Sequence, residues 1–207
     1  MTPLVIAHRG ASWHEPENTL PAFERAIELG ADYVEFDVHA LGERLVVVHD
    51  APRPGGTYPT LEEALDLMRG RIGLMVELKR PFRYRGHDVV RRTLALLEDD
   101  DVLVCFEPGA LEEAHRLRPR LRLLQHVGFG VSIDRAARYA WAAGFADRLT
   151  TARGLARARS RGLDTIVYTV NEPGRMRGLA ALGVTGIVTD RPDLMRLTLA
   201  PHPRRPG

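Results

Sequence analysis

One strand–helix–strand unit opens the chain, with Leu4-Val-Ile-Ala7 and Tyr33-Val-Glu-Phe-Asp-Val38 as its strands and Thr19–Leu29 as its helix. Both apolar runs have the length of strands buried in a parallel sheet. The helical segment begins at the capping pair Asn18-Thr19, and Gly30 comes directly after it. Two parallel strands joined by a helix are the building block of α/β proteins, so this stretch favours that class.

The same alternation continues to the end of the 207-residue chain. Further strands are predicted at Ile72–Lys79, Val102–Phe106, Leu121–Gln125, Ala146–Leu149, Thr165–Thr169 and Gly186–Thr189. Further helices are predicted at Thr60–Met68, His87–Leu97, Gly109–Leu117, Asp134–Ala143, Gly154–Arg161, Gly174–Leu182 and Asp193–Leu199. Eight strand–helix units in this length predict a single-domain TIM (β/α)8 barrel, with a doubly wound open sheet as the structural competitor.

Two local patterns refine this expectation. The run Leu45–Val48 follows the second strand too closely for a crossover helix, so it is predicted to form a hairpin with that strand. The sequence Thr60-Leu-Glu-Glu63 has the form of a capping box. We expect the barrel to occupy residues 1–199 and the Pro/Arg-rich residues 200–207 to be a disordered tail.

Composition excludes several classes of protein. No stretch approaches the roughly 20 apolar residues of a membrane span, and no basic stretch precedes the first apolar run, so no signal peptide is expected. Cys105 is the single cysteine, which favours a reducing, cytoplasmic setting. Two of the 29 basic residues, Arg204 and Arg205, lie in the tail, and the remaining 27 match the 27 acidic residues. A neutral body without a basic stripe speaks against nucleic-acid binding.

A few polar residue types are rare in this chain. Lysine occurs once, at Lys79, asparagine only at Asn18 and Asn171, and glutamine only at Gln125. A general bias that replaces lysine by arginine explains the rarity of lysine. Arginine and lysine nevertheless differ in geometry and hydration, so a lysine retained under such a bias is a candidate functional residue.

Acidic residues stand at the ends of two predicted strands. Glu35 and Asp37 are two positions apart, so they share one face of the second strand, and Glu77 ends the next parallel strand. Converging buried carboxylates repel one another, and a hard divalent cation such as Mg²⁺ or Ca²⁺ relieves that repulsion. Pairing of each acid with an arginine is the simpler alternative. It explains any single acid better than it explains three at strand ends.

Histidines stand beside these acids. His8 ends the first strand and His49 ends the hairpin, and two histidines flanking a cation suit a reaction that takes a proton from a nucleophile and gives one to a leaving group. Alternation also places His39 on the face of Glu35 and Asp37, as a candidate extra ligand. The remaining histidines are assigned structural or surface roles: His14, His87, His115, His126 and His202.

Arg9 and Lys79 add positive charge at the same strand ends, where a phosphoryl group would lie. A cation, two proton carriers and two fixed positive charges together predict phosphodiester hydrolysis.

The ordered motifs resemble one known family. They are His8-Arg-Gly10, Pro16-Glu-Asn-Thr19, Ala22-Phe23, Gly30-Ala-Asp32, Glu35-Phe-Asp37, His49-Asp50, Pro59-Thr-Leu-Glu-Glu63, Glu77-Leu-Lys79, Thr169-Val-Asn171 and Asp190-Arg-Pro192. From Leu4 to Leu194 the chain resembles the glycerophosphodiester phosphodiesterase family. The resemblance implies a TIM barrel and metal-dependent hydrolysis of glycerophosphodiesters to glycerol 3-phosphate and an alcohol.

The resemblance also implies roles for individual residues. Glu35, Asp37 and Glu77 match the metal-binding acids, and His8 and His49 match the general acid/base pair. Arg9 and Lys79 match the cations on the phosphate side, Tyr168 stands where the family usually has a tryptophan wall, and Asn18 shapes the loop beneath the site.

The chain departs from the family after its second strand. A sizeable family insertion is reduced here to Ala51–Tyr58, which predicts an open site or one covered by a second copy in a homo-oligomer. An open mouth keeps two alternatives in view. One is a lysophospholipase D or cyclic-phosphate-forming phospholipase that uses the same residues. The other is a non-catalytic barrel that binds phosphodiesters.

Overall fold

The computed structural model describes residues 2–84 and 86–200, and in these residues eight parallel strands close into a barrel. The first strand pairs with both the second and the last, which completes the ring. The barrel strands are β1 Leu4–His8, β2 Tyr33–Leu41, β4 Gly73–Leu78, β5 Val102–Cys105, β6 Arg122–His126, β7 Ala142–Ala146, β8 Asp164–Tyr168 and β9 Gly186–Thr189. β3, Arg44–Val47, pairs antiparallel with the end of β2, so the predicted hairpin is confirmed.

Helices surround this barrel and separate its strands along the chain. They are α1 Leu20–Glu28, α2 Leu61–Met68, α3 Val89–Leu96, α4 Pro108–Leu117, α5 Ile133–Ala136, α6 Ala152–Ser160, α7 Pro173–Ala181 and α8 Pro192–Leu199. None of the helices in residues 2–84 and 86–200 is long and apolar enough to cross a lipid bilayer. Of the predicted tail, residues 201–207 lie outside the described residues.

Local signals set the starts of two helices as predicted. The Thr19 hydroxyl accepts the Ala22 N–H at 3.3 Å and caps α1. At α2, the Thr60 hydroxyl accepts the Glu63 N–H, while the Glu63 carboxylate accepts the Thr60 N–H. This reciprocal pair is the predicted capping box.

The barrel interior is apolar at its floor and polar at its mouth. Because side chains alternate along a strand, every second residue points inward. Ile6, Met75, Leu124, Ile166 and Val188 form one buried cluster. The residues two positions further along these strands lie one layer higher, toward the strand ends. They are His8, Glu77, His126, Tyr168 and Asp190. The same alternation that builds the core therefore delivers polar side chains to one end of the barrel.

The predictions for β7, the sixth barrel strand, and for the helix before it were wrong. β7 runs over Ala142–Ala146, not Ala146–Leu149, and residues Asp147–Leu149 form a short 3₁₀ turn instead. The predicted helix Asp134–Ala143 is reduced to α5 and a turn. Alanine is the strongest helix former, so the alanine-rich residues at the end of Asp134–Ala143 favour a helix in isolation. All five residues of β7 are buried, and packing on both sides of the barrel wall overrides that preference.

Candidate active site

Three carboxylates meet at the mouth of the barrel. Asp37 on β2 lies directly opposite Glu77 on β4 in the strand register, and Glu35 precedes Asp37 on the same face. One oxygen of each carboxylate lies within 4.8 Å of the others, and the three residues are only 1–6% exposed. The structure thus brings together the three acids that the sequence singled out.

Burial and mutual repulsion are visible in the acidities of these groups. Burial, together with the charges of Asp37 and Glu77, raises the pKa of Glu35 well above its usual value. Burial also pushes up the pKa of Glu77, but a contact from His126 and the charge of Lys79 outweigh it and lower that pKa to about 2.

Two of the acids, Glu35 and Asp37, accept hydrogen bonds from residues between β1 and α1. The Arg9 backbone N–H donates to Glu35 Oε2 at 3.3 Å. Asn18 Nδ2 donates to Asp37 Oδ2 at 2.9 Å, and Asn18 Oδ1 accepts the Asp37 N–H at 3.1 Å. The pairing of β1 with β2 ends at His8 and Glu35. Beyond that point, the Asn18 side chain accepts the backbone N–H of β2 in place of a β1 residue.

The lone lysine lies between two of the acids. Lys79 Nζ is 2.9 Å from Asp37 Oδ1 and 2.7 Å from Glu77 Oε1. Burial alone would lower the pKa of Lys79, but the two carboxylates raise it, so the ammonium stays charged. Three carboxylates thus share two cationic side chains, Lys79 and Arg9, whose Nε is 3.2 Å from Asp37 Oδ2. A donor set of carboxylate oxygens in one cluster fits a hard divalent cation such as Mg²⁺ or Ca²⁺.

The two histidines line different cavities, and Glu77 lines both. His8 and Glu77 line a small cavity inside the barrel mouth, whereas His49 and Glu77 line a larger open groove. His8 Nδ1 is 2.6 Å from Asp190 Oδ1. Burial would raise the pKa of Asp190, but hydrogen bonds from His8 and other donors lower it, so the carboxylate is ionised and accepts the Nδ1 proton. In the tautomer that donates its Nδ1 proton to Asp190, the other ring nitrogen, Nε2, is a proton acceptor.

The groove side is less constrained. His49 Nδ1 lies 3.1 Å from the carboxylate of Asp50, whose side chain is 94% exposed. The backbone oxygen of His49 is 3.1 Å from His39 Nε2, so the loop that carries His49 is tied to β2.

This contact also corrects one expectation. His39 is not a fourth ligand, because Tyr84 Oη lies 2.6 Å from its Nδ1 while its Nε2 faces the His49 carbonyl. The pairing of β2 with β4 ends at Val38, and from there β2 pairs with β3. As a result, His39 faces the hairpin loop and not the acids. His39 therefore supports His49 from behind.

Arg9 and Tyr168 lie at the site but in particular surroundings. The Arg9 guanidinium is 2.8 Å from both oxygens of Glu17, and its Nε is 3.2 Å from Asp37 Oδ2. The Tyr168 hydroxyl is buried without a hydrogen-bond partner among the described residues, and burial raises the pKa of this phenol. Tyr168 lines the same cavity as His8.

One residue of the site was not predicted from the sequence. His126, assigned a structural or surface role, ends β6 with its ring inside the barrel mouth, 3.5 Å from Glu77 Oε2. The predicted strand stopped at Gln125, one residue short. Alternation from the buried Leu124 is the signal that could have placed His126 on the inner face.

The glycerophosphoryl diester phosphodiesterase family model matches residues 8–77 and 57–194 of the chain. The chain belongs to this family. A glycerophosphodiester phosphodiesterase from Bacillus altitudinis is 30% identical to it over 233 residues, which cover 91% of this chain and 95% of that protein. A second, from Bacillus subtilis, is 28% identical over 249 residues, covering 92% of this chain and 84% of that one. The protein is thus an enzyme of the phosphoric diester hydrolase class.

Solved structures of similar fold extend over nearly the whole barrel. A phosphodiesterase from Oleispira antarctica, in complex with its product sn-glycerol-3-phosphate, superposes with a TM-score of 0.87 at 22% identity and covers 97% of this chain and 98% of its own. A glycerophosphodiester phosphodiesterase from Parabacteroides distasonis gives a TM-score of 0.85 at 25% identity, with coverage of 96% and 97%. The predicted family and TIM barrel are confirmed.

Proposed function

We propose that this enzyme hydrolyses glycerophosphodiesters to glycerol 3-phosphate and an alcohol, with one divalent cation, Mg²⁺ or Ca²⁺, as its cofactor. The observation that carries the proposal is the cluster of Glu35, Asp37 and Glu77, with His8 and His49 lining the cavities beside it. The family membership supports the reaction, and the Oleispira antarctica phosphodiesterase of the same fold was solved with sn-glycerol-3-phosphate as its product.

The acid cluster and its lysine would handle the phosphoryl group. Glu35, Asp37 and Glu77 would hold the cation, which when bound stabilises negative charge on the phosphoryl oxygens. Lys79 stays protonated between two of these acids and would add a second positive charge at the same place. Arg9 would reach a phosphate oxygen by exchanging its contact with Glu17, whose side chain is 51% exposed.

The histidines would move the protons. His8 holds its Nδ1 proton against Asp190, so we assign its Nε2 as the acceptor of the proton from the attacking oxygen. We assign His49, which lines the open groove together with Glu77, as the donor of a proton to the leaving alcohol. Removing His49 by His49→Ala should lower kcat about 10²-fold or more while KM changes little, as expected for a group that acts mainly in the transition state.

The groove beside His49 has room for a substituent of the phosphate. Its volume is about 420 Å³, and Lys79 and Phe106 line it together with His49. Residues 51–58 form only a short loop without a helix or strand, so the groove stays open to solvent. Tyr168 lies against the Phe106 ring, with centroids 6.1 Å apart, and would supply an aromatic wall for the substrate.

The test is a product analysis with purified protein. Glycerophosphocholine and glycerophosphoethanolamine are incubated with Mg²⁺ or Ca²⁺, with EDTA, and with the Glu77→Gln variant. We expect glycerol 3-phosphate only with the cation, and a raised cation requirement in the variant. The assignment fails if no common divalent ion supports release of glycerol 3-phosphate. Cyclic phosphate, or lysophosphatidic acid from a lysophospholipid, would identify a sister reaction, and tight binding without turnover would identify a binding protein.

The proposal extends to the location and the assembly of the enzyme. We place the enzyme in the cytoplasm, because its single thiol, Cys105, is free and buried. Light scattering on the purified protein would distinguish a monomer with an open site from a homo-oligomer in which a second copy covers it.

A further inference from the structure

His126 occupies an unusual place for a histidine. The residue is 6% exposed, and its ring packs against two aromatic rings, with centroids 4.1 Å from Phe106 and 4.3 Å from Tyr168. Neither ring nitrogen has a hydrogen bond that meets ordinary geometric limits within the described residues. A phenylalanine would fill such a slot without burying polar atoms, so packing alone does not account for histidine.

The neighbouring strand leaves space for this ring. Gly144 on β7 lies opposite His126 in the strand register. A Cβ at Gly144 would come within 2.5 Å of His126 Nδ1, closer than atoms approach in proteins. The imidazole therefore depends on a glycine at this position, which fixes where the ring can point.

The ring points at one acid of the cluster. His126 Nε2 lies 3.5 Å from Glu77 Oε2, whereas Lys79 Nζ lies 2.7 Å from Glu77 Oε1. The two oxygens of Glu77 thus face two different groups, the Lys79 ammonium and the His126 ring nitrogen.

The other two acids show the same arrangement. Glu35 is held by the backbone N–H of Arg9, and Asp37 by the side-chain amide of Asn18. Among the described residues, His126 is the group that faces the remaining oxygen of Glu77 from outside the cluster. Donors behind ligating side chains fix their orientation and affect metal affinity strongly.

We propose that His126 is a positioning residue that orients Glu77 for cation binding through its Nε2–H, with the Phe106–Tyr168 slot and Gly144 fixing the ring. This rests on the proposed function, because it assumes that Glu77 is a ligand. It does not assume any substrate, so it is tested by cation binding alone.

The experiment compares two replacements by isothermal titration of Mg²⁺ or Ca²⁺ into EDTA-treated, dialysed protein. His126→Phe keeps the ring stack and removes the donor, whereas His126→Gln keeps an N–H donor and removes the stack. We expect the dissociation constant to rise about tenfold or more in His126→Phe. We expect His126→Gln to recover most of that loss. His115→Phe, on α4 and outside the site, is the control for loss of a histidine.

The outcomes separate this inference from the proposed function. Wild-type protein that binds neither ion overturns the cofactor assignment and this inference together. Wild-type protein that binds an ion with the same affinity as His126→Phe overturns only the role of His126. A loss of affinity in His126→Gln but not in His126→Phe would show that the ring packing matters and the donor does not. If His126→Phe does not fold, Gly144→Ala replaces it, since its added methyl must displace the ring and should weaken binding with His126 intact.

Discussion

Asn18 and Asn171 hold two site aspartates in the same way, and this predicts a measurable pair of defects. Asn18 donates to the Asp37 carboxylate and accepts the Asp37 N–H, at 2.9 and 3.1 Å. Asn171 donates to the Asp190 carboxylate and accepts the Asp190 N–H, at 2.5 and 2.9 Å. Each amide replaces a missing strand neighbour at the barrel mouth. We therefore compare Asn18→Ala with Asn171→Ala.

The cost of Asn18→Ala follows from its burial and backbone. Asn18 is 4% exposed, so the variant loses one buried hydrogen bond to a charged group and one to a backbone N–H, together about 2–4 kcal/mol. Its φ of 57° lies in the left-handed region, where alanine adds about 1 kcal/mol. Relaxation offsets part of this sum, and a net loss of about 3 kcal/mol lowers Tm by roughly 6–12 °C in a chain of this size. Asn171 is only half-buried and has no positive φ, so its variant should lose less.

Calorimetry in EDTA measures the stability difference without a contribution from bound ions. Asn18→Ala should show the larger fall in Tm and a weaker affinity for Mg²⁺ or Ca²⁺, because Asp37 is released. Asn171→Ala should keep cation affinity and lose kcat, because Asp190 then holds His8 less firmly. A Tm for Asn18→Ala within about 2 °C of wild type, against the expected slope, would refute the reasoning from the two buried bonds. Equal cation affinities in both variants would refute the division of roles.

Three further outcomes follow from the geometry. Lys79→Arg should lower kcat at least about tenfold, since a planar guanidinium cannot place one nitrogen between both carboxylates, and steady-state kinetics would show whether arginine suffices. The pKa of Asp190 is lower in the folded than in the unfolded chain, so its contacts stabilise the fold fully above about pH 4 and progressively less as pH falls further. Thermal melts should accordingly show the gap between wild type and Asp190→Asn closing on acidification. Burial raises the pKa of the Cys105 thiol, so iodoacetamide at about pH 8 should label the unfolded chain and spare the native one. Rapid labelling of native protein would contradict that burial.

The barrel was largely predictable because its strands and helices alternate and most carry their own signals. Thr60 and Glu63 set the start of α2 by local hydrogen bonds, which sequence spacing reveals. The sixth barrel strand, β7, was not predictable in this way. Its residues Ala142–Ala146 are helix-favouring in isolation and become a strand only because neighbours bury both faces. Gly144 in that strand is explained by a residue of β6. The ring of His126, eighteen residues earlier in the chain, occupies the space that a side chain at Gly144 would need.

Strand periodicity predicted which acids share a face but not what holds them. Glu35 and Asp37 are two residues apart, so their convergence could be inferred. His126 on β6 approaches Glu77 on β4 because the barrel brings the two strand ends together. The spacing of these residues along the chain does not predict that contact. The same limit explains His39, whose inward face was predicted correctly while the hairpin turned it away from the acids.

The rare side chains of this arginine-rich sequence are retained where their shapes do what common residues cannot. Gln125 is fully buried, and its Nε2 lies 2.9–3.2 Å from the carbonyl oxygens of Cys105, Phe106 and His126, while its Oε1 accepts the Tyr139 hydroxyl. Only a primary amide combines two donors with an acceptor on one planar group. A carboxylate cannot donate to those carbonyls, and an arginine would bury a charge there. Together with the two asparagines behind the aspartates and the single lysine between the acids, the composition that looked like a genomic bias marks the supports of the candidate active site.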